Sequence, residues 1–204
     1  MDQEKRMAGD YTIIAGLRVG DREVVIGENP NAAKGEKFMC GLGQRTDLFV
    51  LYEDCMVSDD YLEIAELFGK RINGQVEKTR EEFARLAQPG FDDAPLTKDD
   101  CDPVSYADSI LDKVIVIKAD VLRPEYQRAT RQLKLCRGGF GASGNSRGSA
   151  CFCTDLITGK EFRFERRDVL GTISPDKLPQ WAKEGLEKVL ATEREKKATS
   201  KEAR

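Results

Sequence analysis

The sequence predicts an α+β fold in which two antiparallel β-meanders are joined to two helices, one long and central and one C-terminal. Three observations carry that reading. Short runs rich in β-branched and aromatic residues recur between turn-forming clusters over 11–53 and again over 132–169. Phe162 and Phe164 alternate with Arg163 and Glu165, the period of a strand with one buried face. Between these regions Ala65, Phe68, Ile72, Val76, Phe83 and Leu86 recur at helical spacing, with Glu63, Glu66, Lys70 and Glu77 mostly pointing elsewhere.

Residues 1–10 read as a disordered leader. Tyr11–Val19 and Glu23–Ile26 read as strands joined by a Gly20-Asp21 hairpin turn, and Lys37–Leu42 and Asp47–Glu53 as two more. A helix over 59–87 follows, with Ser58 as its N-cap and Asp59 and Asp60 in its first turn. Gly69 and Gly74 each weaken it by about 1 kcal/mol relative to alanine, and Gln88-Pro89-Gly90 ends it. The domain reading is therefore 11–90 for the first meander and helix, 91–112 for an acidic, proline-bearing connector, and 113–191 for the second meander and helix, with 192–204 a disordered tail.

In the second part, Tyr106–Leu111 reads as a short helix, Val114–Lys118 as a central apolar strand, and Pro124–Thr130 as a helical turn. Strands over Gln132–Arg137 and Ala150–Leu156 flank a glycine-rich loop. The third strand, Glu161–Val169, follows a turn in which Gly159 takes the left-handed conformation. Ser174 and Pro175 open the C-terminal stretch, and a second proline, Pro179, shifts the regular helix towards Trp181, Leu186, Val189 and Leu190. Strand, glycine-containing loop, strand, turn, strand and helix thus occur twice, and the Met39–Phe49 and Phe152–Phe162 spacings match, which suggests a pseudo-repeat.

Composition excludes more than it selects. The 204 residues contain no histidine, which removes Ser-His-Asp and Cys-His nucleophiles, HExxH zinc proteases and the commonest general base. No apolar run approaches the roughly 20 residues that span a bilayer, and the N-terminus has no apolar signal region. The expected location is the cytoplasm, so the six cysteines are expected as reduced thiols. The net charge of −3 hides segregation: Cys40–Asp112 holds 17 acids and 7 bases, net −10, whereas Lys113–Ile173 holds 12 bases and 6 acids, net +6. Either the two halves are solvated faces that attract each other, or the basic half meets phosphates or an acidic partner while the acidic half mimics nucleic acid.

Gly139-Phe140-Gly141-Ala142-Ser143-Gly144 matches G-x-G-x-x-G, but a strand follows it where a dinucleotide fold needs a helix. The kinase use of such a hairpin fails as well, because the HRD and DFG motifs are missing. Gly138, Gly139, Gly141 and Gly144 therefore read as tight turns, with a phosphate or carboxylate nest as the functional alternative. Cys136, Cys151 and Cys153, with Cys40 if the two meanders pack together, form a conceivable four-thiolate zinc set. Without CxxC knuckles they read as buried thiols, and no cofactor is expected. The connector's carboxylates lack EF-hand spacing. Arg137, Arg147, Arg163, Arg166 and Arg167 form the densest basic group and are the candidate contacts for a partner or nucleic acid. Phe162 and Phe164 are expected to be buried, leaving no exposed aromatic ladder.

Gln132-Leu133, Gly138-Gly139-Phe140-Gly141, Gly148, Thr158-Gly159-Lys160-Glu161 and Arg167-Asp168-Val169-Leu170-Gly171 together resemble a segment of small proteins encoded on conjugative and other mobile elements of gut Firmicutes. Lys160 departs from the TGE-like turn of that pattern. Arg22–Pro30 is similar to an amino-terminal stretch of the same proteins. The resemblance supplies no catalytic residue. It implies a setting, in which small cytoplasmic proteins antagonise host defences. The expectation is a non-enzymatic, anti-CRISPR-like antagonist of a nucleic-acid-targeting nuclease such as Cas9. Either its arginine face meets nucleic acid, or its acidic half occupies a DNA channel. The alternative is a zinc-thiolate or DNA-binding accessory module of a conjugative element. A homodimer is compatible with the sequence, and no membrane partner is expected.

Overall fold

The computed structural model describes residues 6–45 and 50–202. The fold is α+β, with two five-stranded antiparallel sheets, a long helix and a C-terminal helix. It divides into two units, Met1–Ala87 and Gln88–Arg204.

The first unit is a meander in which each strand pairs with the next: β1 (Met7–Ala8), β2 (Tyr11–Val19), β3 (Arg22–Glu28), β4 (Phe38–Arg45) and β5 (Val50–Ser58). Gly20 has φ +62° in the two-residue β2–β3 hairpin, which is what a turn with a left-handed first residue requires. Helix α1 (Tyr61–Leu86) lays Ile64, Leu67, Phe68 and Ile72 on Val24, Ile26 and Cys40. Its cap is Asp60, whose side chain accepts the Leu62 N–H, while Ser58 Oγ accepts the Asp60 N–H one step earlier. The other sheet face buries Ala8, Val25 and Met39 under Tyr11, Ile13 and Tyr52.

Within the predicted leader, Met7 and Ala8 form a strand because Ala8 is buried and Arg6 is held by Glu23 through two bonds of 2.9 and 2.7 Å. Arg6 Nη2 also donates to Tyr52 Oη at 3.2 Å. The predicted strand at Asp47–Glu53 begins outside the described residues and continues to Ser58, with Asp54 at φ +49° where its register shifts.

The second unit has strand order β10-β6-β7-β8-β9, with β6 (Val114–Ile117), β7 (Leu133–Gly138), β8 (Ala150–Asp155), β9 (Glu161–Glu165) and β10 (Val169–Ile173). The four-residue α2 (Ala129–Gln132) leads into β7, and the long C-terminal α3 (Gln180–Glu202) follows β10. One face of this sheet packs Val114, Val116, Leu133, Leu135 and Ile173 against Leu178, Trp181, Ala182 and Val189. The other buries Ile115, Ile117, Cys136, Cys151 and Cys153 under loop residues Val104, Ile110, Leu122 and Ala142.

Five expectations change here. The acidic connector is a packed part of the second unit: Phe91, Leu96 and Cys101 lie on its core, and Asp102 bridges Thr172. Buried Gln132 holds the connector by accepting the Leu96 N–H at 2.7 Å and donating to the Leu96 and Ile117 carbonyls at 3.1 and 2.8 Å. Tyr106–Leu111 is not helical, because Asp108 takes the Ser105 N–H and hydroxyl, both at 2.8 Å, and ties the segment into a turn.

The strand predicted over Glu161–Val169 breaks at a 3₁₀ turn, Arg166–Asp168, and β10 then crosses to the far edge beside β6. The two halves of the pseudo-repeat therefore differ in topology, and Phe49 of its matched spacing lies outside the described residues. The predicted tail is helical to Glu202, in keeping with its alanine, glutamate and lysine content.

Candidate functional site

Strand direction puts the end of β7, the start of β8 and the end of β9 at one end of the second sheet. All five candidate arginines lie there. The glycine-rich loop that joins β7 to β8 folds back on the strand that follows it. Gly139 has φ +92°, and a Cβ on it would meet the Ala150 carbonyl oxygen at 2.2 Å. A 3₁₀ turn, Phe140–Ala142, follows. The Ile110 N–H and Ser109 Oγ donate to the Ala142 carbonyl at 2.8 and 3.3 Å, and the Asn145 N–H donates to the Tyr106 carbonyl at 3.0 Å. The motif is thus filled by its own protein. Its glycines serve close backbone approach rather than a phosphate cradle.

Arg166 is the clamp of this arrangement. Its Nη1 donates to the Gly141 carbonyl at 3.1 Å, and its Nη2 to the Ser105 and Asp108 carbonyls at 2.7 and 2.9 Å. It joins three loop segments and is spent on them, so it leaves the set of candidate partner contacts. Arg166→Ala is expected to cost about 2–3 kcal/mol, because three carbonyls lose a charged donor. Arg147→Ala and Arg167→Ala should stay within about 0.5 kcal/mol. Urea denaturation of the purified variants checks the contrast.

The other four arginines differ in availability. Arg137 pairs with Asp112. Arg163 pairs with Glu165 at 2.7 Å and keeps 61% of its side chain exposed. Arg167 is 87% exposed, with Nε 4.0 Å from Asp168. Arg147 is exposed, with no ion pair among the described residues.

The Ser149 hydroxyl, joined by Arg163 and Arg167, holds the Glu165 carboxyl below its usual range. The Ser105 hydroxyl and N–H do the same for Asp108. With Asp108, Asp112, Glu165 and Asp168 beside the five arginines, the local charge is close to balanced, and the surplus counted along the sequence is not a continuous positive field.

Aromatic exposure revises the picture further. Phe140 is 77% exposed and Phe152 52% exposed, and Phe162, expected to be buried, is 41% exposed. Phe152 stands directly opposite Arg163 on one side and Gly138 on the other, on the sheet surface away from the cysteines. Phe162 instead lies over the Lys134 ammonium at 5.1 Å, stacked on Phe164.

Sequence reasoning missed a buried ion pair between Lys134 and Asp155, exposed by 3% and 1%. Asp155 also accepts the Ile157 and Thr158 N–H groups at 3.0 and 2.7 Å and the Thr158 hydroxyl at 2.9 Å, fixing the turn in which Gly159 has φ +67°. Burial alone would push its carboxyl up. The Lys134 charge and the Thr158 donors outweigh that and hold it below the usual range. The available clue was Asp155-x-x-Thr158-Gly159, an Asx-type turn signature.

The candidate zinc ligands are not gathered into a metal site. Cys136, Cys151 and Cys153 line the loop-covered core, with Cys136 paired across from Cys153, while Cys40 lies in the core of the first unit beneath α1. Among the described residues, no group of three or more Cys, Asp or Glu could hold a metal ion. A hydrogen bond with Cys151 pulls the Cys136 thiol down, but its bond to Cys153 and burial together push it up to about 12. The bond to Cys136, then burial, carries Cys151 well above the ordinary thiol range. Alkylation of native protein at neutral pH should therefore label exposed Cys55 first and Cys101 next. Cys40, Cys136, Cys151 and Cys153 should stay unmodified until the protein unfolds, as peptide mass spectrometry would show.

Comparison with protein-family models, curated proteins and solved structures finds no match. Among the described residues, no helix is long and apolar enough to cross a membrane.

Proposed function

We propose that this chain is a non-enzymatic binding protein that antagonises a nucleic-acid-targeting defence nuclease of the RNA-guided class, working in the cytoplasm. The observation that carries the reading is the end of the second sheet, where exposed Phe140 and Phe152 stand among Arg147, Arg163 and Arg167. Aromatic and arginine side chains are the groups that dominate binding energy at interfaces. The loop beneath them is held rigid by Arg166, so little ordering is needed on binding. The mobile-element resemblance supplies the setting.

The test is a cleavage reaction with a purified RNA-guided nuclease and its target DNA. Added protein should suppress cleavage in proportion to its concentration. Reversing the charges of Arg147, Arg163 and Arg167 together should relieve suppression, with Arg166 left intact to keep the fold. Full cleavage at large molar excess of protein, across nucleases of that class, would overturn the reading.

A further inference from the structure

We infer that the surface of β7, β8 and β9 around Phe152 is a stacking shelf for the bases of a single-stranded nucleic acid. The inference deepens the proposed antagonism and rests on that reading for its biological setting, though not for its geometry. Three adjacent strands present Gly138, Phe152 and Arg163 side by side on one face, because Gly138 is the partner of Phe152 in β7 and Arg163 its partner in β9. Phe152 is half exposed, although it alternates with the fully buried Cys151 and Cys153.

Gly138, the β7 partner of Phe152, adds no side chain beside the ring. A Cβ placed there would meet nothing within 4 Å, so no packing demand explains the missing side chain. Its neighbours Gly139 and Gly141, by contrast, would collide with backbone atoms. A planar group can therefore slide over Gly138 against the face of Phe152, as bases do on single-strand binding proteins.

The cations here stand singly rather than as a net positive field, which suits separate phosphate contacts along a backbone. Arg163 flanks the ring, and Arg147 and Arg167 stand exposed at the same sheet end. Glu161 and Glu165 share the β9 outer face. Glu165 is already engaged by Ser149 and Arg163, and a phosphate replaces it on Arg163 at little cost because exposed ion pairs are weak. Phe140, 77% exposed and seated over Gly148, gives a second ring at the rim. A duplex keeps its bases stacked inside and cannot use the shelf, so the ligand is an unpaired strand.

The experiment is fluorescence anisotropy with a labelled oligothymidylate of about 12 nucleotides, against a duplex of equal length. The intact protein should bind the single strand in preference to the duplex. Affinity should fall with salt at a slope of about −2 on logarithmic axes, as expected for three arginine–phosphate contacts. Phe152→Ala should weaken binding by about tenfold or more. Gly138→Val, which fills the shelf in open space, should weaken it similarly while leaving the denaturation midpoint unchanged.

No strand binding by the intact protein, or binding indifferent to both substitutions, overturns the shelf. If strand binding is absent while nuclease suppression persists and is lost in Phe152→Ala, the surface docks on protein, and only the shelf falls. Shelf-dependent strand binding without nuclease suppression sustains the shelf and removes the antagonist reading.

Discussion

Replacing Asp155 by alanine is expected to destabilise the second unit by about 3–5 kcal/mol, the usual cost of removing one member of a buried ion pair. The loss arises because Lys134, only 3% exposed and already pulled below the usual lysine range by burial, must either carry an unpaired charge or give up its proton. The Ile157 and Thr158 N–H groups lose their acceptor at the same time. Asp155→Asn should lose less, since an amide oxygen can still hold the turn. The pair itself need not be stabilising, because desolvation offsets most of its attraction. Lys134→Met combined with Asp155→Leu should therefore recover the part of the loss due to the unpaired lysine, but not the part due to the Ile157 and Thr158 N–H groups.

The same residue contributes to acid sensitivity. Its folded carboxyl lies below the ordinary value, so its contribution is present above the usual carboxylate range and is lost as pH falls through the folded value. The double variant should lack that part of the acid slope. Trp181, the one tryptophan of the chain, sits in this unit's core and reports the urea transition. A loss below about 1 kcal/mol in Asp155→Ala would show that the pair is solvated.

What was legible in the sequence follows from whether local chemistry alone decides the outcome. The spacing of Ala65, Phe68 and Ile72 finds α1, and Gly20 and Gly159 find their turns, because periodicity and left-handed φ are local properties. The alternation Phe162-Arg163-Phe164-Glu165 is equally clear, but the crossing of β10 is not. Glu165 and Asp168 form a reciprocal capping box that turns the chain out of the sheet, and the apolar Val169-Leu170 that follows looks like more of the same strand. The connector fails for the opposite reason. Its acids and prolines read as solvated, yet Asp93 binds the Thr130 N–H and hydroxyl at 2.7 and 2.8 Å, so its polar groups are satisfied inside the unit.

The site was half legible. Net charge by segment picked out the basic half of the chain, but charge counted along a chain ignores which groups pair across strands. Asp112 and Glu165 take up Arg137 and Arg163, and Arg166 is consumed by backbone carbonyls. Phe152 stands opposite Gly138, a residue on a different strand, and no one-dimensional pattern holds that cross-strand pairing.

Gly139→Ala is expected to cost about 2–5 kcal/mol, from two sources that act together. A side chain at φ +92° carries a left-handed penalty of roughly 1–2 kcal/mol. The new methyl would also stand 2.2 Å from the Ala150 carbonyl oxygen and 2.9 Å from its carbon, which are backbone atoms that cannot rotate away, and overpacking of this kind costs about 1–3 kcal/mol. Gly138→Ala, one residue earlier and facing open space, should change stability by no more than about 0.5 kcal/mol. Equal behaviour of the two variants in urea denaturation would mean that the loop does not fold back on β8 in solution. A large difference means that the loop is already ordered before any partner arrives, because a strained glycine matters only where the surrounding backbone is fixed. It follows that the surface around Phe152 is preformed, and that binding there should be limited by contacts rather than by ordering of the loop.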